Sequence, residues 1–434
     1  MKPVFTLTII RAGAHAGGVK VPVLDYILKA AQWLCFFVLL YYYVLAYMGL
    51  GSPRRAPAVT PLLRFGILIP AHNEERVLPL LLDSLRRQDY PAHLISVVVV
   101  ADNCTDGTAE VARRHGATVL ERTSPLRGKG YALKFGLEYL LRTECDAVCV
   151  LDADNLVDPR FLGIISAHFA HGAQVVQGRV ETKNPLDSWV SASYAINFWL
   201  SNRMWQLARA RAGLSSLLCG TGMCFRTDLL RVTGWPAMSL TEDLEYSIIL
   251  ISRGIRVAWA HEAVVFDEKP ATFAASWRQR LRWLQGKWQV LFTLGPRLFS
   301  SAVFERNWVK MDGALCLLQP VLLLLSPISA LIAYLYPSAA HPASLSVARH
   351  SATPGAIALA LIPYFLPVIA MYLEKAPWRA YLYLPAYTVF SLTWIPITLV
   401  GLLLYRHRAW YRTPHTRAIT LDQRAQLYSL HHTG

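Results

Sequence analysis

Two kinds of text alternate along this chain. From Ala30 to Leu50 no residue carries a formal charge, with Lys29 before the run and Arg54-Arg55 after it. About 20 consecutive apolar residues are what a bilayer core requires. Three further uncharged runs come late, at Gly313 to Tyr336, Ala356 to Leu373 and Tyr381 to Leu404. Prolines 320, 327, 363, 367, 385 and 396 would kink these helices, which neighbouring helices tolerate. One of the three reads equally well as a buried or re-entrant segment. The first run is too long for a signal peptide, and Gly49-Leu50-Gly51 makes a weak cleavage site.

Between these runs the pattern is shorter in period. Phe65 to Pro70 (FGILIP) is an apolar strand-like run, and a helical pattern extends through Leu85. Ile95 to Ala101 (ISVVVVA) predicts a second strand and Asp106 to His115 a second helix. Ala117 to Leu120, Lys129 to Leu141 and Asp146 to Leu151 predict strand, helix and strand in turn. Strands alternating with helices argue for a parallel sheet with right-handed crossovers. Such open sheets bind ligands beyond the carboxyl ends of their strands. No internal repeat or low-complexity tract interrupts the pattern.

Composition then narrows the class. Hydrophobic residues make up 54% of the 434 residues and charged ones only 16%, with positive mean hydropathy. That balance is unusual for a soluble enzyme and points toward bilayer-spanning segments. The net charge of +15 suits anionic lipid headgroups, and would by itself suit nucleic acid equally. Seven cysteines form no C-x-x-C pair, so reduced, buried thiols on a cytoplasmic domain are expected. Orientation divides the charge evidence. A cytoplasmic segment from Ser52 to Lys310 puts Lys375 and Arg379 inside after one return crossing, as the positive-inside rule prefers. Three full crossings would then place the basic tail outside, against the same rule, so the number of crossings and the side of each terminus stay open.

The candidate chemistry stands where strands end. Asp102 follows VVVVA, and Asp152-Ala153-Asp154 follows AVCVL. If the strand continues, period-two geometry throws the two carboxylates of D-A-D the same way. Paired carboxylates suit a hard divalent cation completed by substrate phosphates. For Asp102 the alternative is a turn or helix cap. Arg127-Gly128-Lys129-Gly130 opens a helix, where glycines and a cation favour phosphate, although a solvated basic turn reads similarly and the P-loop spacing is missing. Cys219-Gly220-Thr221-Gly222 is a tight turn of small residues. Thr241-Glu242-Asp243 opens another helix, where Thr241 alone reads as an N-cap with acidic residues on the helix dipole. Gln279-Arg280-Leu281-Arg282-Trp283 lies among Trp277, Arg278, Lys287 and Trp288, which alone suits a helix lying in a membrane interface.

Taken in order, an Asp after the second strand, D-x-D, T-E-D and Q-x-x-R-W resemble the family 2 glycosyltransferases. More narrowly they resemble the membrane-integrated branch of cellulose, hyaluronan and poly-N-acetylglucosamine synthases, with ceramide glucosyltransferases as cousins. The resemblance covers Phe65 to Trp288 and the placing of one apolar run before and several after. It implies a GT-A fold, an α/β unit with a mixed, mainly parallel Rossmann-like sheet, combined with α-helical transmembrane segments. Asp102 would contact the nucleobase with Pro70, Ala71, His72 and Glu74. Lys129 would touch the nucleotide-sugar, Asp152 would hold the uridine and diphosphate region, and Asp154 would ligate Mg²⁺ or Mn²⁺. Asp243 would be the general base, with Glu242 beside it. Gln279, Arg282 and Trp283 would close over the diphosphate and frame the acceptor, as would Cys219, Gly220 and Thr221.

The expected activity is inverting transfer of a sugar, glucose or N-acetylglucosamine, from a UDP-sugar to a glycan or lipid-linked acceptor in polysaccharide synthesis. Single addition to a lipid is the alternative, and a non-enzymatic glycan-binding membrane protein the distant one. Two departures bear on this: the turn reads Cys-Gly-Thr-Gly rather than a Cys-Gly-Ser form, and few spans follow the catalytic part. The expected organisation is a tail (1–29), a span (30–50), the catalytic domain (60–271), interfacial helices (272–312), spans at 313–336, 356–373 and 381–404, and a basic tail (405–434). Its partners would be the donor, the acceptor, the bilayer and a membrane subunit, with no nucleic acid. Its place would be the bacterial inner membrane, with the catalytic domain cytoplasmic.

Overall fold

The computed structural model describes residues 22–57, 59–60, 63–335, 354–407 and 417–432. Most of the expected N-terminal tail, the last residue of the expected span 313–336 with the loop after it, and residues 408–416 and 433–434 of the expected basic tail lie outside the described residues. Eight strands form one mixed sheet. They are β1 (Phe65–Ala71), β2 (Ile95–Asp102), β3 (Thr118–Arg122), β4 (Ala147–Val150), β5 (Leu156–Val157), β6 (Val175–Thr182), β7 (Met223–Arg226) and β8 (Val257–Asp267). Their order is β3-β2-β1-β4-β7-β6-β8-β5. The first four neighbours pair in parallel, β7 runs antiparallel to β4 and β6, and β5 runs antiparallel to β8.

Period-two alternation gives the sheet two apolar faces. Ile67, Ile69, Val99 and Cys149 pack on one side against the helices Leu78–Arg86 and Phe161–Ala170. Leu68, Val98, Val100, Val148 and Val150 pack on the other against the helices Lys129–Leu140 and Glu242–Ser252. A strand buried on both faces must be apolar at every position, which is why these segments read as unbroken β-branched runs. Each fully buried Val, Leu or Ile contributes about 1.5–3 kcal/mol. The registers Ala71↔Ala101 and Leu68↔Val150 bring the carboxyl ends of β1, β2 and β4 to a common edge.

A helical layer is built onto this unit. The helix Pro22–Met48 packs on the segment that follows helix Trp189–Ser201, where a π-turn (Asn202–Leu207) leads into Ala208–Arg211. Glu374, at the end of helix Pro354–Leu373, is buried among Arg179 (2.5 Å), Arg203 (3.3 Å) and His261 (3.4 Å). Those partners come from β6, the π-turn and β8, so one carboxylate ties the late helices to the sheet.

Several segments differ from the sequence expectation. D-A-D does not continue β4: the strand ends at Val150, and residues 152–155 form a turn in which Asn155 N–H donates to Asp152 O (3.1 Å). The run Gly313–Tyr336 is entered earlier, at Trp308, and is bent by 56° between Trp308–Leu317 and Gln319–Ile328. Pro320 opens the second arm, where a missing N–H is tolerated but the preceding residue is restricted. The segment bearing Q-x-x-R-W is a single helix, Phe273–Phe304, with part of its length packed into the protein and with Phe292, Phe299, Val303 and Phe304 exposed. Arg280 and Trp288 on it are both buried. Among the described residues, Trp378–Leu403 is long and apolar enough to cross a membrane, and the bent pair is a second such element if taken as one span. The expected spans near the N-terminus and at Ala356–Leu373 fall on the helices Pro22–Met48 and Pro354–Leu373, of 27 and 20 residues.

The C-terminal segment returns to the sheet. Arg417 N–H donates to Glu268 Oε1 (3.0 Å), and its side chain reaches Asp187 (3.2 Å). Arg87 pairs with Asp422 (2.8 Å), and Arg424 lies 3.5 Å over the Phe266 ring.

Candidate active site

A cavity of about 610 Å³ opens at the common carboxyl edge of β1, β2 and β4. Every candidate residue named from the sequence lines it: Pro70, Ala71, His72, Glu74, Asp102, Lys129, Asp152, Asp154, Cys219, Gly220, Thr221, Glu242, Asp243, Gln279, Arg282 and Trp283. They arrive from strand ends, helix N-termini and one long helix, so the fold converges residues far apart in sequence.

At one end the β1 and β2 termini meet. His72 Nδ1 donates to the Asp102 carbonyl (2.7 Å), and Glu74 N–H donates to Thr108 Oγ1 (2.8 Å). The Asp102 carboxylate accepts from Arg122 (2.5 Å) and Asn103 (3.0 Å). It caps no helix, and Arg122 from the neighbouring strand holds it in place. Gly128, with φ 131°, turns the chain into the helix that begins at Lys129.

Lys129 is the centre of the cluster. Its Nζ donates to Asp152 Oδ1 and to the Gly220 carbonyl (2.8 Å), and lies 3.9 Å from Glu242 Oε1. Burial works against the ammonium, but Asp152 and Glu242 outweigh it, and its pKa is raised. Gly220 has φ 81°, a left-handed conformation open to glycine, and an added Cβ would meet Asp243 Oδ2 at 3.4 Å and Lys129 Nζ at 3.7 Å. Burial pushes Glu242 up to about 7, helped by Asp243, while Lys129 and Arg282 pull it down. Asp243 is likewise raised by burial, against its hydrogen bond from Leu244 N–H and the charges of Lys129 and Arg282. Thr241 is the N-cap by position, yet its hydroxyl makes no cap bond and has no partner. An ordinary capping role therefore does not account for this motif.

The small-residue turn is held from both sides. Cys219 N–H donates to Gln177 Oε1 (2.9 Å), and Gln206 Nε2 lies 3.1 Å from Cys219 Sγ. The Thr221 hydroxyl bonds Asn155 Oδ1 and accepts from Asp152 N–H (3.2 Å), tying this turn to D-A-D. Burial pushes the Cys219 thiol up to about 12, so it stays protonated. All seven cysteines are free thiols. On the far wall Trp283 stacks with Trp394 (centroids 6.5 Å apart, 16°) and meets Tyr194 edge-on. Arg282 Nη1 donates to Leu240 O (3.4 Å), and Gln279 Oε1 has no hydrogen-bond partner.

Among the described residues no group of three or more His, Cys, Asp or Glu is arranged to hold a metal ion. The donor chemistry nevertheless fits a hard divalent ion that takes the rest of its ligands from substrate. Asp152, Asp154, Asp267 and Glu268 all line the cavity. The Asn155 amide donates to both Asp267 Oδ1 (3.0 Å) and Asp154 Oδ1 (3.4 Å), bringing two carboxylates around one nitrogen. Oxygen ligands from one or two carboxylates plus phosphates are the usual Mg²⁺ set.

Sequence reasoning missed several lining groups. Asp267, Glu268 and Lys269 stand where β8 ends, the same signal that exposed Asp102, and the run AVVF before them could have revealed it. Lys269 pairs with Asp267 and lies 3.6 Å over the Phe198 ring. Buried Lys183 donates to the Asp154 carbonyl (3.0 Å), and burial lowers its pKa. Arg209, Lys287, Gln319 and Trp394 sit on helices whose packing no local pattern discloses.

Residues 61–286 match the family described as Glycosyltransferase like family 2. An uncharacterized glycosyltransferase of Escherichia coli (strain K12), YaiP, is 32% identical over 243 residues, 54% of this chain and 59% of its own. The beta-monoglucosyldiacylglycerol synthase of Synechocystis is 28% identical over 258 residues, 55% of this chain and 52% of its own. The chain thus spans between half and three fifths of the length of these curated relatives. Among solved structures, the mannosyltransferase PcManGT from Pyrobaculum calidifontis, in complex with GDP-Man and Mn²⁺, matches 88% of this chain and 99% of its own with a TM-score of 0.57. At 21% identity that likeness speaks for the fold alone, which is GT-A.

Proposed function

This chain belongs to the family 2 glycosyltransferases, and from that premise we propose that it moves a sugar from a nucleotide-sugar to a hydroxyl of a glycan or lipid-linked acceptor at a membrane face. One observation carries the reading. The cavity that holds Asp102, Lys129, Asp152 and Asp154 at the sheet edge continues past Asp243 to Trp283, Trp394 and Leu323 on the apolar helices. Donor and acceptor would therefore share one continuous space.

Asp102, with Pro70, Ala71, His72 and Glu74, would take the nucleobase, and Lys129 with Asp152 the sugar-diphosphate. Asp154 would hold a Mg²⁺ or Mn²⁺ ion, which when bound offsets charge on the diphosphate. Asp243 would take the proton of the acceptor hydroxyl as its oxygen attacks the anomeric carbon from the side opposite the leaving group. The bond to the diphosphate breaks with its electron pair, and the configuration inverts. A positioned base of this kind is worth typically ~10²–10⁴-fold. Burial that raises Asp243 makes it a stronger base than an exposed aspartate once ionised. Arg282, within electrostatic reach of Glu242 and Asp243, would meet the charge developing on the leaving group. Trp283 presents a partly exposed ring for a sugar face, and Cys219, Gly220 and Thr221 line the same cavity.

The membrane context is supported by the apolar helices and by the +15 charge. The contacts of Arg417 and Asp422 with the catalytic unit favour a tail on its side of the bilayer, hence an even number of crossings between them. The test is the full-length chain supplied with UDP- and GDP-sugars and membrane lipid extract, followed by mass spectrometry. An acceptor gaining hexose or N-acetylhexosamine mass, abolished by EDTA and by Asp154→Ala, is the expected outcome. Transfer at an equal rate in EDTA would remove the metal assignment. No transfer from any nucleotide-sugar would remove the reading. A ladder of masses marks a polysaccharide synthase and one added sugar a glycolipid enzyme.

A further inference from the structure

The arm of the cavity bordered by the bent helix pair carries groups that the transfer chemistry above does not use. Arg209 lines it, is 2% exposed, and donates through Nε to Asp312 Oδ2 (2.8 Å). Tyr41 donates to the other oxygen of Asp312 (2.8 Å), so that carboxylate is already neutralised and hydrogen-bonded. Arg209 Nη2, in contrast, is buried without any hydrogen-bond partner. A buried guanidinium N–H left unpaired costs free energy, and persists where something else supplies the acceptor.

Lys287 lines the same arm. Its Nζ donates to the neutral amide of Gln319 (3.1 Å), and among the described residues it forms no ion pair. Gln319 and Cys316 lie one turn apart across the bend between the helices Trp308–Leu317 and Gln319–Leu335, and both line the arm with Pro320, Leu323 and Trp205. The carboxylates of Glu242 and Asp243 are faced by Lys129 and Arg282. The inner arm therefore holds an uncompensated cation and an unsatisfied cationic donor inside an apolar wall. A neutral sugar chain has no use for the charge, and a free inorganic anion none for the wall.

We propose that this arm binds a phosphate-bearing lipid, with the phosphate between Lys287 and Arg209 and the hydrocarbon against Trp205, Pro320 and Leu323. Arg and Lys beside a phosphate make charge-assisted hydrogen bonds, stronger than neutral ones. The inference rests on the transferase reading only in calling this lipid the acceptor; the binding site stands on its own groups.

Binding is measured on the full-length chain in detergent with dodecyl phosphate, dodecanol and inorganic phosphate as probes. Dodecyl phosphate is expected to bind at least about tenfold more tightly than either of the others, since each carries only half of the recognised chemistry. Lys287→Gln is expected to weaken dodecyl phosphate about tenfold, and Lys287→Arg to restore it. Removing Arg209 alone would strand Asp312, so the paired change Arg209→Gln with Asp312→Asn is the second variant, with the same expected weakening. Dodecanol binding as tightly as dodecyl phosphate would overturn the proposal, as would wild-type binding in Lys287→Gln. Inorganic phosphate binding as tightly would also overturn it, by showing a free-anion site. The readout involves no turnover. A chain that binds dodecyl phosphate selectively yet transfers no sugar would sink the transferase reading alone. A chain that transfers sugar without this selectivity would sink only the present proposal.

Discussion

Glu242 and Asp243 are adjacent carboxyls in a shared buried space, and they titrate as a pair. Both are held protonated to higher pH than exposed carboxyls, Glu242 to about 7, chiefly by burial. A base must be ionised, so kcat/KM is expected to rise with pH through the titration of this pair. Replacing Glu242 by Gln removes the group held to about 7 but leaves burial, the chief cause of the Asp243 shift, in place. The acid limb of the pH–rate profile should therefore keep its position if Asp243 is its origin; a limb that moves would assign it to Glu242. At this scale much was legible. Asp102, Asp152 and Asp154 declare themselves because each follows an apolar run that can only be a buried strand, and a charge there must stand at the strand's mouth. Arg209 and Lys287 do not. Their neighbours in sequence are ordinary helix residues, and only the bend before Pro320 brings Gln319 against Lys287.

Among the elements, β1 to β4 and the helices between them were readable, since β1, β2 and β4 are apolar runs set between helical patterns. The strands β5 to β8 were not. Their apolar stretches are short, and Gln177, Gly178 and Arg179 interrupt β6 for reasons of site and docking that only the fold explains. Gln177 supports the Cys219 turn, and Arg179 faces Glu374. The turn at D-A-D escaped for a related reason: Asn155, not strand pairing, fixes it, by accepting from Asp152 N–H (3.0 Å). The Glu374 cluster makes a prediction about how the helical layer is fastened. Glu374→Gln keeps the shape but leaves Arg179 and Arg203 without their shared charge. Breaking a buried ion pair from one side costs about 3–5 kcal/mol. A lowered thermal midpoint of the full-length chain is expected, and an unchanged midpoint would mean that this carboxylate does not hold the layers together.

For the whole molecule, charge patterning left the side of the tail undecided, because the positive-inside rule pulled the loops and the tail in opposite directions. The long-range pairs Arg87–Asp422 and Arg417–Asp187 bear on that choice from outside the pattern. A cysteine placed at exposed Ala425 should be shielded from an impermeant thiol reagent in intact cells, as should one at exposed Arg113 on the catalytic unit, and both should label after lysis. Labelling of position 425 alone in intact cells would separate the tail from the catalytic side. What joins these scales is one cavity in which, on the proposed reading, a donor held at the sheet edge would meet an acceptor lying along the apolar helices, with Asp243 between them. The most direct measurement compares nucleotide-sugar binding and sugar transfer in Asp243→Asn and in the unaltered chain. Donor binding retained, with transfer reduced by about 10²–10⁴-fold, is the expected result, and transfer at the unaltered rate would contradict it.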